Sequence, residues 1–109
     1  MEDIYLRNAK IMSALSTPMR LQILDMLSCG ELCASQIQDA FSITQPTTSY
    51  HMKLMVDSGI VTMRNEGKYV FYSLNQDRLQ TFFQEVQQMA SYSESCVCHS
   101  ISMKPCKEE

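Results

Sequence analysis

No run of apolar residues in this chain approaches the length of a membrane span, so a helical transmembrane protein is not expected. The opening Met1-Glu2-Asp3 is acidic and no apolar segment follows it, so no secretory signal is read and the expected location is cytoplasmic. Charge is scarce: charged residues make up 19% of the chain, with a net charge of -3. That argues against a nonspecific nucleic-acid coat, but not against specific binding, which depends on where charge is placed. A glycine-rich phosphate loop is missing, as is a paired-carboxylate cleft. Cys98 and His99 are adjacent, and neighbours in an extended segment point apart, with no oxyanion loop or third orienting group in view. An enzyme is therefore not expected. In a reducing compartment five cysteines, odd in number and unevenly spaced, do not read as a disulfide framework.

What is present is a regular alternation of helical patterns and turn signals. Asp3 to Leu15 carries Ile4, Leu6, Ile11, Met12 and Leu15 at helical spacings and predicts a first helix. Thr17 and Pro18 supply a cap and a first helical residue for a second helix with Leu21, Ile23, Leu24 and Leu27 as its stripe, closed by Cys29-Gly30. Cys33 to Phe41 predicts a short third helix with Ile37, Ala40 and Phe41 inward, and Ser42-Ile43-Thr44 a turn. Thr44 then caps a fourth helix, Gln45 to Asp57, with Leu54 and Met55 toward the core and Ser58-Gly59 at its end. Ile60 to Met63 and Tyr69 to Leu74 have strand composition, joined by Arg64-Asn65-Glu66-Gly67-Lys68 as a basic hairpin tip. Asn75 to Ala90 repeats Leu79, Phe82, Phe83, Val86 and Met89 at helical steps. The fold class is mostly α with a β-hairpin wing, a winged helix-turn-helix. Residues 1–92 form that domain and 93–109 a polar, cysteine-containing tail.

In this architecture the fourth helix lies in the DNA major groove. Its expected exposed set is Gln45, Thr47, Thr48, Ser49, His51 and Met52, mostly short and polar, a composition suited to base edges. Thr44, Ser49 and Lys53 are candidates for phosphate contacts, and the amides opening the helix for an anion site. Arg64 and Lys68 are placed to reach the adjacent minor groove or backbone. Polar helix faces are commonly only solvated; helix, turn, helix and wing in sequence make the DNA reading the stronger one. Double-stranded operator DNA is the expected partner, with no membrane.

Residues from about Leu15 to Leu74 resemble the ArsR/SmtB family of dimeric metalloregulatory repressors. The resemblance rests on ALSTPMRLQIL at the second helix, GELCASQI at the third, TQPTTSYHMKLMVDSGIV at the fourth and RNEGKYVFYSL at the wing. It implies a homodimer built from the first and last helices, bound to an inverted repeat in its own operator and weakened by ligand. Two positions depart from the family pattern. Tyr50 stands where members often have Arg or Gln, and Thr48 where they often have Val or Ala.

The family's alternative ligand sites differ in what this chain retains. The third-helix site resembles ELCVCDL; here Cys33 is present and the second cysteine is Ser35. The last-helix zinc site requires histidines, and this helix offers Asp77 with Gln84, Gln87 and Gln88 instead. The tail carries Cys96-Val97-Cys98-His99 and, beyond Pro105, Cys106. Three thiolates without a carboxylate make a soft site. Trivalent arsenic or antimony takes three sulfurs in a trigonal pyramid, so Cys96, Cys98 and Cys106 are the candidate ligands for As(III) or Sb(III), in a transcriptional repressor released by that ion. Cd(II), Zn(II), with His99 as a fourth ligand, or Cu(I) remain open, as does a redox- or sulfide-responsive thiol switch.

Overall fold

The computed structural model describes residues 3–92. Five helices and three strands follow one another: α1 Ile4–Ala14, α2 Pro18–Leu27, β1 Leu32–Cys33, α3 Ala34–Phe41, α4 Gln45–Asp57, β2 Val61–Glu66, β3 Tyr69–Leu74 and α5 Gln76–Met89. The candidate metal ligands Cys96, Cys98 and Cys106, together with His99, lie outside the described residues.

Short polar residues start the helices. Asp3 Oδ1 accepts from the amides of Tyr5 at 2.8 Å and Leu6 at 3.3 Å. Thr17, Thr44 and Asn75 accept from Arg20, Thr47 and Arg78, three residues on in each case. Each cap satisfies a donor that the helix itself leaves unpaired. Pro18 and Pro46 sit in first turns, where a missing N–H costs little.

The turn between α3 and α4 is set by Ser42, which adopts the left-handed conformation at φ 53°. Ile43 N then donates to Gln38 O at 3.2 Å, closing the helix end as a Schellman motif does. Gly59, at φ +91°, ends α4 where an added Cβ would meet Arg78 Nε at 3.4 Å.

The sheet has the order β1-β3-β2, all neighbours antiparallel. The strand Leu32–Cys33 went unread in the sequence because two residues carry no periodicity. It pairs Leu32 with Tyr72 and Cys33 with Phe71, tying the entry to α3 to the hairpin. The hairpin is tighter than expected. Glu66 pairs directly with Tyr69, so Arg64, Asn65 and Glu66 belong to β2 and the tip is Gly67-Lys68 alone. Charge does not interrupt a strand; glycine does, and a glycine-first two-residue turn is the type II′ order. Gly67 has φ +61° there.

The core joins every helix to the sheet through Ile11, Ile23, Leu27, Ile37, Met52, Met55, Ile60, Val61, Tyr72, Leu79 and Phe82. In α2 and α3 two expectations about facing fail. Ala40 is exposed, since α3 buries only Ile37 fully, and Leu21 is 50% exposed because the buried stripe of α2 is Arg20, Ile23 and Leu27. The outer helices are joined by Arg7, whose Nη2 lies 2.6 Å from Glu85 Oε2, and by Asn8 Nδ2 donating to Glu85 Oε1 at 3.0 Å. Asn75 N donates to Ile60 O at 2.8 Å, fixing the start of α5 to the base of the wing.

Burial separates two residues of α2 that composition does not. Ile23→Ala is expected to lower the unfolding free energy by about 2–5 kcal/mol and Leu21→Ala by about 1 kcal/mol or less, read from urea denaturation. Equal losses at the two positions would contradict the packing described.

Candidate nucleic-acid interface

The exposed face of α4 follows from what its other face buries. Thr48, Met52 and Met55 recur at four and three residues and point into the core, with Met52 and Met55 fully buried. Thr48 and Met52, expected on the exposed face, are therefore withdrawn from it. Thr48 is 1% exposed and its Oγ1 donates to Thr44 O at 3.0 Å. An i−4 bond of this kind satisfies a hydroxyl that has no access to water. What remains on the surface is Gln45, Thr47, Ser49, Tyr50 and Lys53, with His51 half-buried beside them. Tyr50, 61% exposed, is an aromatic member of this face that its departure from the family pattern alone does not reveal.

The helix opening is less available to anions than its position suggests. Thr44 Oγ1 accepts from Thr47 N and donates to Thr47 Oγ1 at 3.0 Å, and Thr48 N donates to Thr44 O. Pro46 has no N–H. Among the described residues, Gln45 keeps the unpaired amide of the first turn.

The cations near this face are mostly neutralised. Lys53 Nζ lies 3.0 Å from Asp57 Oδ2 in an exposed i, i+4 pair. Arg64, expected at the hairpin tip, lies within β2 and is drawn back onto Glu31. Its Nε and Nη2 donate to the two carboxylate oxygens at 3.0 and 2.9 Å, and Nη1 pairs with Glu66. Its guanidinium carbon stands 4.5 Å from the centre of the Phe71 ring opposite it. The Arg64 hydrogen bond holds Glu31 below the usual carboxylate range, and Glu31 in turn raises Arg64. Lys68 remains at the tip, its Nζ 5.6 Å from the Tyr69 ring centre, and makes no ion pair among the described residues.

Behind the face, Arg20 Nη1 stands 2.9 Å from His51 Nδ1 and Arg20 Nε donates to Ala14 O at 2.7 Å. Burial, and then the Arg20 charge, lower His51 from the ordinary imidazole value, which favours the neutral ring. The sequence offered one signal for this arrangement: Arg20 occupies a position of the buried stripe shared by Ile23 and Leu27.

Of the cysteines in the described residues, Cys29 is exposed and Cys33 half-buried. Cys33 sits immediately before α3, its Sγ 3.1 Å from Ser35 Oγ and its amide donating to Gln36 Oε1. The Ser35 hydroxyl, followed by the Gln36 backbone, lowers the thiol from its usual value. Among the described residues no group of three His, Cys, Asp or Glu side chains is arranged to hold a metal ion. No helix there is long and apolar enough to cross a membrane.

Known proteins are similar to this chain in sequence and in fold. Residues 17–63, from the α2 cap into the strand β2, match the family described as bacterial regulatory protein, arsR family. The chain is 39% identical over 102 residues to an arsenical resistance operon repressor of Staphylococcus aureus, covering 94% of this chain and 98% of that protein. It is 38% identical over 72 residues to a cadmium resistance regulatory protein, a CadC homologue from the same species, covering 65% of this chain and 60% of that one. The fold is similar, at a TM-score of 0.67 and 30% identity, to a homodimeric winged helix-turn-helix DNA-binding domain from Mycobacterium bovis solved in solution. That likeness covers 80% of this chain and 81% of the other.

A face with so little uncompensated charge predicts a shallow salt dependence on duplex DNA. If Lys53, Arg64 and Lys68 of two protomers all meet phosphates, log affinity against log salt has an expected slope of about -5 or shallower, and Lys68→Ala reduces its magnitude by about 2. Binding isotherms across a salt series check this, and a slope near -10 would contradict it.

Proposed function

The chain belongs to the arsR family of bacterial regulatory proteins, and from that premise we propose a homodimeric operator-binding repressor released when As(III) or Sb(III) binds the thiolates of Cys96, Cys98 and Cys106. The observation that carries this reading is the extent of the likeness to the staphylococcal arsenical repressor. A match of 102 residues within 109 takes in Cys96 and Cys98, well past the DNA-reading segment. Chemistry supports the same residues. Two thiols one residue apart with a third beyond Pro105 make a three-sulfur donor set, which trivalent arsenic fills with its lone pair on the open side. The third-helix alternative is weaker, because Cys33 is followed by Ser35 and not by a second thiol.

On this reading Gln45, Thr47, Ser49 and Tyr50 meet base edges, with His51 beside them, while Thr44, Lys53, Lys68 and Arg64 position the backbone. For Arg64, a DNA phosphate exchanges for one of its carboxylate partners. The switch passes through α5. The thiol-bearing segment continues from that helix, and α5 is held to α1 by the Arg7–Glu85 pair. Binding of an ion by those thiols shifts α5, hence the spacing of the two reading helices. A preference of a few kcal/mol for the shifted state suffices to empty an operator.

Dimerisation through α1 and α5 fits their outer faces. Tyr5, Leu6 and Met12 on α1 and Phe83 and Met89 on α5 are large, apolar and 45% or more exposed. Apolar side chains gathered on two adjoining helices are the signature of a protein interface. Leu6→Glu and Phe83→Glu are each expected to yield monomers in sedimentation equilibrium and to abolish tight operator binding. Dimers that persist in both variants would contradict this interface.

The reduced protein, bound to a fluorescent duplex from its own upstream region, tests the ligand. Arsenite or antimonite is expected to weaken binding by about 5–150-fold, with the response lost in Cys96→Ser, Cys98→Ser and Cys106→Ser. Cadmium, zinc and copper(I) run in parallel. Release by one of these alone reassigns the ion, and binding indifferent to every ion but lost with polysulfide or peroxide replaces metal sensing by a thiol switch.

A further inference from the structure

Arg20 is an anomaly in the core. It is 6% exposed, it occupies a stripe position of α2 between apolar residues, and among the described residues no carboxylate pairs with it. Burying a guanidinium on neutral acceptors costs stability that an apolar side chain there would not. Its two partners explain its presence better than stability does. Nε donates to Ala14 O, the last residue of α1, and Nη1 reaches His51 Nδ1 on the reading helix.

The direction of the second bond follows from chemistry. A guanidinium has donors only, so His51 Nδ1 accepts. A neutral ring that accepts at Nδ1 carries its proton on Nε2, and Nε2–H is then the one polar group His51 has left to offer. The ring sits half-exposed beside Tyr50, whose ring packs edge-on at 5.4 Å between centres. One buried side chain thus touches the end of the outer helix and sets the hydrogen-bonding character of a residue on the DNA face.

We propose that Arg20 is a positioning residue for operator recognition, holding α4 against the end of α1 and presenting His51 to DNA as an Nε2–H donor. The proposal rests on the repressor reading above and adds to it a fixed tautomer and a direct tie between α1 and the reading helix. That tie gives movement at α1 a route to α4 that bypasses the wing. A neutral donor suits a base acceptor or a phosphate oxygen without adding charge to the face.

The test uses the full chain. Long-range proton–nitrogen spectra of the His51 ring at neutral pH are expected to show the Nε2–H tautomer alone in the wild type and a mixture in Arg20→Leu. Operator and scrambled duplexes are then titrated with wild type, Arg20→Leu, Arg20→Lys, His51→Phe and the Arg20→Leu/His51→Phe pair. Arg20→Leu and His51→Phe are each expected to weaken operator binding by about tenfold, with the double variant no worse than either; an equal loss on the scrambled duplex places the Nε2–H at a phosphate, and a loss on the operator alone places it at a base edge. If Arg20→Leu does not fold, Arg20→Lys and the wild-type ring spectrum decide. A wild-type ring in the Nδ1–H or charged form, or variants that keep full operator affinity, or losses that simply multiply, overturns the proposal. A wild type that binds no operator overturns the repressor reading, and this proposal with it.

Discussion

The burial of Thr48, Met52 and Met55 is the constraint on which the rest of this molecule depends. Met52 and Met55 join the core cluster with residues of α1, α2, α3, the sheet and α5, and Thr48 is buried on the same face of α4. A helix anchored this deeply has one available orientation, so the identity of its outer face is a consequence of packing. Gln45, Thr47, Ser49, Tyr50 and Lys53 are outward because their neighbours are inward. Rotation by one residue would place Ser49 and Lys53 in an apolar core, which the cost of burying unpaired polar groups forbids. Precision in reading DNA is thereby obtained from hydrophobic packing, before any polar contact is made.

Charge is handled in the opposite way. The wing and reading helix carry Lys53, Arg64 and Lys68, yet Asp57, Glu31 and Glu66 neutralise two of them within the chain. Long-range attraction to phosphate is therefore weak, consistent with a net charge of -3. Affinity must come from fit and from two copies acting together, and both depend on geometry. A repressor built this way is sensitive to small changes in the spacing of its reading heads, because little sequence-independent attraction remains to hold it once the fit is lost. The Arg64–Glu31 pair also braces the wing against the loop before α3, so the charges that limit attraction stiffen the scaffold.

The sequence showed the order of elements because each element carries a local signal: caps at Thr17, Thr44 and Asn75, prolines in two first turns, and alternating composition at the wing. Its failures were of a different kind. Which face of α4 is buried depends on tertiary packing, and a threonine looks alike on either face. Only the family habit of Val or Ala at Thr48 hinted that the position is inside. The strand Leu32–Cys33 is too short to show a period, and Arg64 looked like a tip residue because its partner Glu31 is thirty-three residues away. Arg20 and His51 are likewise joined only in space. The thiol cluster is the reverse case, plain in the sequence and outside residues 3–92.

In the proposed complex a packed dimer presents two α4 helices to successive major grooves. Hydroxyl-radical footprinting of the full chain on its own upstream DNA, paired with guanine-N7 methylation interference, tests it most directly. Two protected segments centred about one helical turn apart, each with major-groove methylation blocking binding, are predicted. Continuous protection without phase, or indifference to major-groove methylation, would contradict the account.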